Sequence, residues 1–186
     1  MVEQAKIRAT FADYDALPET NQQVELIDGE IIMVPAPLDI HQQLNGDIYT
    51  YIRAIVPSGA IRIAPTGVRL GDHVVEPDIF WVSADNQNCS LGPDGRYWLG
   101  APDLVVEILL PSTASRDYRE KFDIYETHGV REYWIVEPAA RYIDVYQRDD
   151  NSLVHVGNYS AGDENAAFQS VMLSREIPVN KLFSQT

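Results

Sequence analysis

Glu107 stands between Val106 and Ile108 in Leu104-Val-Val-Glu-Ile-Leu-Leu110, a run with no other polar residue. A carboxylate buried in such a run costs several kcal/mol unless a cation or a proton accompanies it. Upstream, Val74-Val-Glu-Pro-Asp-Ile-Phe-Trp-Val82 repeats the device by sending Asp78 into a second apolar strand, and Lys121 follows the Glu107 strand on the next helix. Two inward acids and a lysine are the parts of a divalent-metal hydrolase. Carboxylate-held Mg2+ can activate a water and act as a Lewis acid on a scissile phosphoryl group. Mg2+ takes hard oxygen ligands and keeps several waters, so Asp78, Glu107 and a main-chain carbonyl would suffice without His or Cys, and Mn2+ would also serve. Lys121 beside the bound water would orient it or stabilise charge in the transition state.

Glu30 after an Asp-Gly turn, His41 at a helix start, and Asp117 four residues before Lys121 are supporting candidates for the same cleft. Each main residue also has an ordinary reading. Glu107 can be satisfied by backbone donors or an arginine, and Asp78 can cap a turn after Pro77. Lys121 can point to solvent, paired with Asp117 across one helical turn.

These residues need elements to position them. Thr10-Phe-Ala-Asp-Tyr-Asp-Ala-Leu-Pro18 predicts a short capped helix, and residues 23–27 and 30–34 predict a hairpin about Asp28-Gly29. Ile40, Leu44, Ile48, Tyr51, Ile52 and Ile55 recur at helical steps, which predicts an amphipathic helix between Leu38 and Val56, ended by Pro57. Residues 60–64, 67–70 and 73–82 predict strands, whereas 83–101, rich in Gly, Asn, Asp and Pro, predicts a loop serving as a flap or interface arm. Residues 104–110 predict a central strand buried on both faces.

Ser112 or Ser115 would cap the following helix, whose apolar stripe is Tyr118, Phe122 and Tyr125, and Gly129 would end it. Residues 132–138 and 141–146 predict two more strands, and 153–158 with 167–173 a small C-terminal meander. This order describes an α/β (α+β) fold with a mixed central β-sheet flanked by helices. An N-terminal hairpin and C-terminal β additions extend that core, within a single domain over residues 1–186.

Apolar content of 45%, with 10% aromatic residues, suits a packed core and does not indicate disorder. The net charge of -14 argues against a broad polyanion-binding surface, because nucleic-acid affinity rests largely on neutralising phosphates. The lone Cys89 supports neither an internal disulfide nor a cysteine-rich zinc site. No segment approaches the roughly 20 apolar residues that span a bilayer. A cytoplasmic protein with no membrane partner is the expectation.

Val24-Glu-Leu-Ile-Asp-Gly-Glu30, residues 35–41, Glu76-Pro-Asp-Ile79, Pro102-Asp-Leu-Val-Val-Glu-Ile-Leu-Leu-Pro-Ser-Thr113, Asp117, Lys121 and Gly129-Val-Arg-Glu-Tyr-Trp-Ile-Val136 resemble the Uma-type restriction endonuclease family over residues 10–180. The resemblance implies a restriction endonuclease-like PD-(D/E)XK core with Asp78 and Glu107 as its acids. Lys121 would be the lysine, displaced onto the helix, because Leu109 occupies the usual position two residues after the acid. The chain also departs from the family at Leu110, where a small polar residue commonly precedes Pro-Ser-Thr. The function so implied is a Mg2+-dependent endonuclease hydrolysing phosphodiester bonds in DNA, and a homodimer is the expected assembly because two-fold dimers are the commonest homo-oligomers. The alternatives are a catalytically weak or inactive nuclease-fold module for binding or assembly, favoured by Leu109 and the charge of -14, and hydrolysis of a small phosphate ester.

Overall fold

A computed structural model describes residues 8–18, 20, 22–56, 58–111 and 114–183. Helix α1 (Phe11–Asp15) starts on a reciprocal cap. The Asp13 N–H donates to the Thr10 hydroxyl at 3.3 Å, and the Thr10 N–H donates to the Asp13 carboxylate at 2.8 Å. Strands β1 (Val24–Ile27) and β2 (Glu30–Met33) form the expected hairpin. Its two turn residues both have positive φ, 50° at Asp28 and 74° at Gly29, the backbone that suits the right-handed twist of paired strands. Helix α2 (Asp39–Ile55) buries Leu44, Ile48 and Ile52 along one stripe.

Strands β3 (Ala60–Ile63), β4 (Gly67–Leu70), β5 (His73–Val75) and β6 (Ile79–Val82) follow. The expected strand over 73–82 is therefore two strands. Pro77 carries no N–H for a ladder, and at Glu76-Pro77-Asp78 the chain crosses from one sheet to another. The expected loop over 83–101 contains β7 (Ser90–Leu91) and β8 (Tyr97–Leu99), with β8 running parallel to β4. Cys89 and Trp98 are buried, so this segment is a sheet edge and not a flap.

Strand β9 (Leu104–Ile108) is buried throughout, parallel to β10 (Glu132–Glu137) and antiparallel to β6. The helix expected between them is divided into α3 (Ala114–Asp117) and α4 (Glu120–His128), which ends at Gly129 with φ 97°. Ser115 lies inside α3 and is not its cap; Ser112 and Pro57 lie outside the described residues. Strands β11 (Tyr142–Asp149) and β12 (Ser152–Ser160) continue the sheet, while β13 (Ala167–Ser170) and β14 (Arg175–Pro178) pair only with each other before α5 (Val179–Leu182). The C-terminal strands are thus a sheet extension and a separate hairpin, not one meander.

The first sheet has the order β2-β1-β5-β4-β8-β7, and the second β12-β11-β10-β9-β6-β3. Alternation along β9 and β10 sends Val106, Ile108, Trp134 and Val136 into a core with α2, α5 and the β13-β14 hairpin. Val105, Leu109, Tyr133 and Ile135 face the other way, into a core with α4 and with Val68, Leu70 and Val75 of the first sheet. This is the expected mixed α/β architecture with helices against the sheets. Among the described residues, no helix is long and apolar enough to cross a membrane.

Candidate active site

Period-two alternation puts Glu107 on the same face of β9 as Val105 and Leu109, towards α4. Lys121 and Tyr125 lie one helical turn apart on α4, and both reach its Oε1: the Lys121 Nζ donates at 3.0 Å and the Tyr125 hydroxyl at 2.6 Å. Lys121 Nζ also lies 2.9 Å from Glu25 Oε1 and 3.7 Å from Asp117 Oδ1. The lysine is therefore buried among carboxylates instead of extending into solvent.

Asp78 enters from the crossing between the sheets. Its Oδ2 accepts the Ile108 N–H at 2.7 Å and lies 3.2 Å from His41 Nε2 on α2. Glu25 joins the two halves, because the Oε1 that meets Lys121 also accepts the Glu76 N–H at 3.0 Å. The result is a cavity of about 30 Å³ whose walls include Glu25, Glu76, Asp78, Glu107, Asp117 and Lys121. His41 and Arg116 also line it.

Five carboxylates thus share the cavity wall with the amine of Lys121, which three of them approach, and with the guanidinium of Arg116, which pairs with Glu120. Burial favours neutral Lys121, but the Glu107, Glu25 and Asp117 charges outweigh it and hold the amine well above the ordinary lysine range. Protonation is deferred to the acids. Burial drives Glu107 well above the ordinary carboxylate range against the pull of Lys121, with Asp117, Asp78 and Glu25 adding to the rise. Burial likewise raises Asp117 to about 6, and burial with the Glu25 charge raises Glu76 to about 7. The Oε2 of Glu76 is buried without a hydrogen-bond partner.

Of the residues expected from sequence, Asp78, Glu107, Lys121, His41 and Asp117 come together here. Glu30 does not: it is the exposed first residue of β2, opposite Ile27 in the hairpin register, and lies away from the cavity wall. Glu25, Glu76 and Tyr125 escaped the sequence reading. Glu25 carried a usable signal, since Val24-Glu-Leu-Ile27 sets an acid in an apolar run just as the Glu107 strand does. Leu109 is buried in the apolar core and offers no amine.

The donor set fits a hard divalent cation. Asp78 and Glu107 both supply carboxylate oxygens to the cavity wall, and the surplus of acids over cations supplies the charge that such an ion would balance. Among the described residues, the two side-chain donors to Glu107 both end on Oε1. Among the described residues, no three His, Cys, Asp or Glu side chains form a ready metal cage. Mg2+ needs none, since it keeps several waters.

A second acid cluster lies on the β11-β12 face. Asp144 accepts from the Tyr118 hydroxyl at 2.8 Å and from Asn158 Nδ2 at 3.0 Å, and its Oδ1 lies 2.9 Å from His155 Nε2.

A family model, Uma2, described as "Putative restriction endonuclease", matches residues 11–180. The structure is also similar to the crystal structure of a putative nuclease belonging to DUF820 from Anabaena variabilis ATCC 29413, with a TM-score of 0.77 and 23% sequence identity. That match covers 94% of this chain and 97% of the other, and it shows a shared restriction endonuclease-like fold. No curated protein matches the chain.

Proposed function

The chain belongs to the Uma2 restriction endonuclease family, and from that premise we propose that it is a Mg2+-dependent endonuclease hydrolysing phosphodiester bonds in DNA. The observation that carries this reading is the surplus of buried carboxylates around Lys121, which a cation bound at Asp78 and Glu107 would balance. When bound, the ion supplies Lewis acidity at the phosphoryl group and a water of lowered pKa. Glu107 is oriented by the Tyr125 hydroxyl, which fixes Oε1. Asp78 is oriented by the Ile108 N–H and His41. Lys121, held charged, is the donor for a non-bridging phosphate oxygen as negative charge develops. Glu25 keeps that amine on the Glu107 side of the cavity.

The test is cleavage of plasmid and oligonucleotide DNA by the purified chain with Mg2+, Mn2+ or chelator. Metal-dependent cleavage that falls by on the order of 1000-fold in Glu107→Ala and in Asp78→Asn supports the reading. Cleavage that survives Glu107→Ala overturns it. The second reading, a nuclease fold retained for binding or assembly, draws on Leu109 and on the net charge of -14. Calorimetry in which neither Mg2+ nor Mn2+ binds would favour that reading.

A further inference from the structure

Glu76 lines the catalytic cavity on one side and, on the other, an open cleft of about 790 Å³. The cleft is also lined by Tyr97 and Arg96, and by Leu17, Pro18 and Pro65. We propose that this cleft receives one unpaired nucleotide next to the scissile phosphate, so that the enzyme's substrate is single-stranded DNA. The inference rests on the nuclease reading above and adds the strand state of the substrate to it.

The Tyr97 ring is held as a fixed plate. Phe11 meets it edge-on at 5.6 Å between centroids, and Tyr14 packs beside it at 6.2 Å. A Cβ on Gly67 would come within 2.8 Å of Tyr97 Cδ1, so the backbone of β4 presses directly on the ring. The Tyr97 hydroxyl is tied to Asp15 Oδ1 at 3.3 Å. Arg96 lies over the ring, its guanidinium carbon 5.3 Å from the centroid. Its partner is Asp15 at 2.9 Å, and the Arg96 side chain is 54% exposed. An ion pair so exposed contributes little, so the guanidinium can exchange Asp15 for a phosphate at small cost. As the guanidinium leaves its place over the ring for a phosphate, it uncovers a rigid aromatic face on which a base can stack.

The distribution of charge decides between one strand and two. A duplex is gripped by rows of cations along both phosphate backbones, whereas among the described residues that line this cleft Arg96 is the one cation, on a chain of net charge -14. Recognition must then come from the face of a base, which a paired base in a stack does not present. The volume, within the usual range for small-ligand sites of roughly 300–1,000 Å³, suits a nucleotide.

The experiment is fluorescence anisotropy of the full chain with a labelled oligothymidylate, alone or annealed to its complement, in chelator so that binding is read without cleavage. The single strand should bind at least about 10-fold more tightly than the duplex, and Tyr97→Ala should weaken it by about 10-fold. Tyr97→Phe, which keeps the ring and loses the bond to Asp15, should bind as the parent does. Arg96→Ala, an exposed change that leaves the core intact, should weaken single-strand binding and so covers the case in which Tyr97→Ala fails to fold. Preference for duplex, or single-strand affinity unchanged in Arg96→Ala and in a folded Tyr97→Ala, overturns the inference. Metal-dependent cleavage with no strand preference would overturn it while leaving the nuclease reading intact. Single-strand binding lost in these variants, without any metal-dependent cleavage, would support the cleft and sink the catalytic reading.

Discussion

Glu107 and Asp144 have partners of the same types, a tyrosine hydroxyl and a basic side chain, yet they belong to clusters of opposite balance. Asp144 is one acid served by Tyr118, His155 and Asn158, beside a histidine that is 47% exposed. Glu107 shares Lys121 with Glu25 and Asp117, and the amine is almost wholly buried. Asp144 is therefore satisfied as it stands. The Glu107 cluster is satisfied only by retaining protons or accepting a cation. An acid's partners do not by themselves mark a candidate site; a local excess of acid over donor does.

Removing the cation from the crowded cluster should break this contrast most severely. Lys121→Met leaves Glu25, Glu107 and Asp117 facing one another, and we expect a loss of about 3–5 kcal/mol at neutral pH, read by urea denaturation, together with loss of cleavage. A variant as stable as the parent would show that the lysine does not hold the cluster together.

Titration gives a smaller effect with a defined sign. Asp117 is raised from 3.8 to about 6 by burial, with Lys121 opposing. A folded-state pKa above the unfolded value makes protonation a stabilising event below the unfolded value, and that stability is lost as pH rises through the folded one. In chelator, the melting temperature should therefore fall as pH rises from 3.8 through about 6. Added Mg2+ should shrink the fall by offsetting the same charge. A fall that Mg2+ leaves unchanged would separate the charge surplus from metal binding.

Asp144→Asn should have the least effect, because the amide keeps an acceptor for the surrounding donors. A loss of about 1 kcal/mol in stability, with cleavage within about twofold of the parent, is expected. A large drop in cleavage would mean that the two clusters are coupled through Tyr118, which lies between α3 and α4.

The contrast also explains what was legible in the sequence. Asp28-Gly29, the α2 stripe and the β9 run are signals that a few neighbouring residues contain in full, and they gave the hairpin, the long helix and the central strand. Strands β7 and β8 are too short to alternate, and their pairing is decided by β4, distant in sequence. The break at Pro77 was visible as a residue but not as a passage between sheets, because which sheet each side joins depends on β1 and β9. Glu107 was identifiable because its whole strand is apolar. Glu25 and Glu30 differ in their neighbours, since the apolar run about Glu25 marks a buried strand, but that Lys121 of α4 meets Glu25 depends on packing distant in sequence.

The single oxygen of Glu25 that meets both Lys121 and the Glu76 N–H has a consequence for how the molecule is made. Between β1 and α4 in the chain lie the long helix, the crossing that carries Asp78 and the strand that carries Glu107, so this bond closes a long loop of chain. Before that closure the acids are separate and hydrated and cost nothing; at closure they are crowded together. Closing that loop thus carries an electrostatic cost as well as an entropic one, and Lys121 offsets the first.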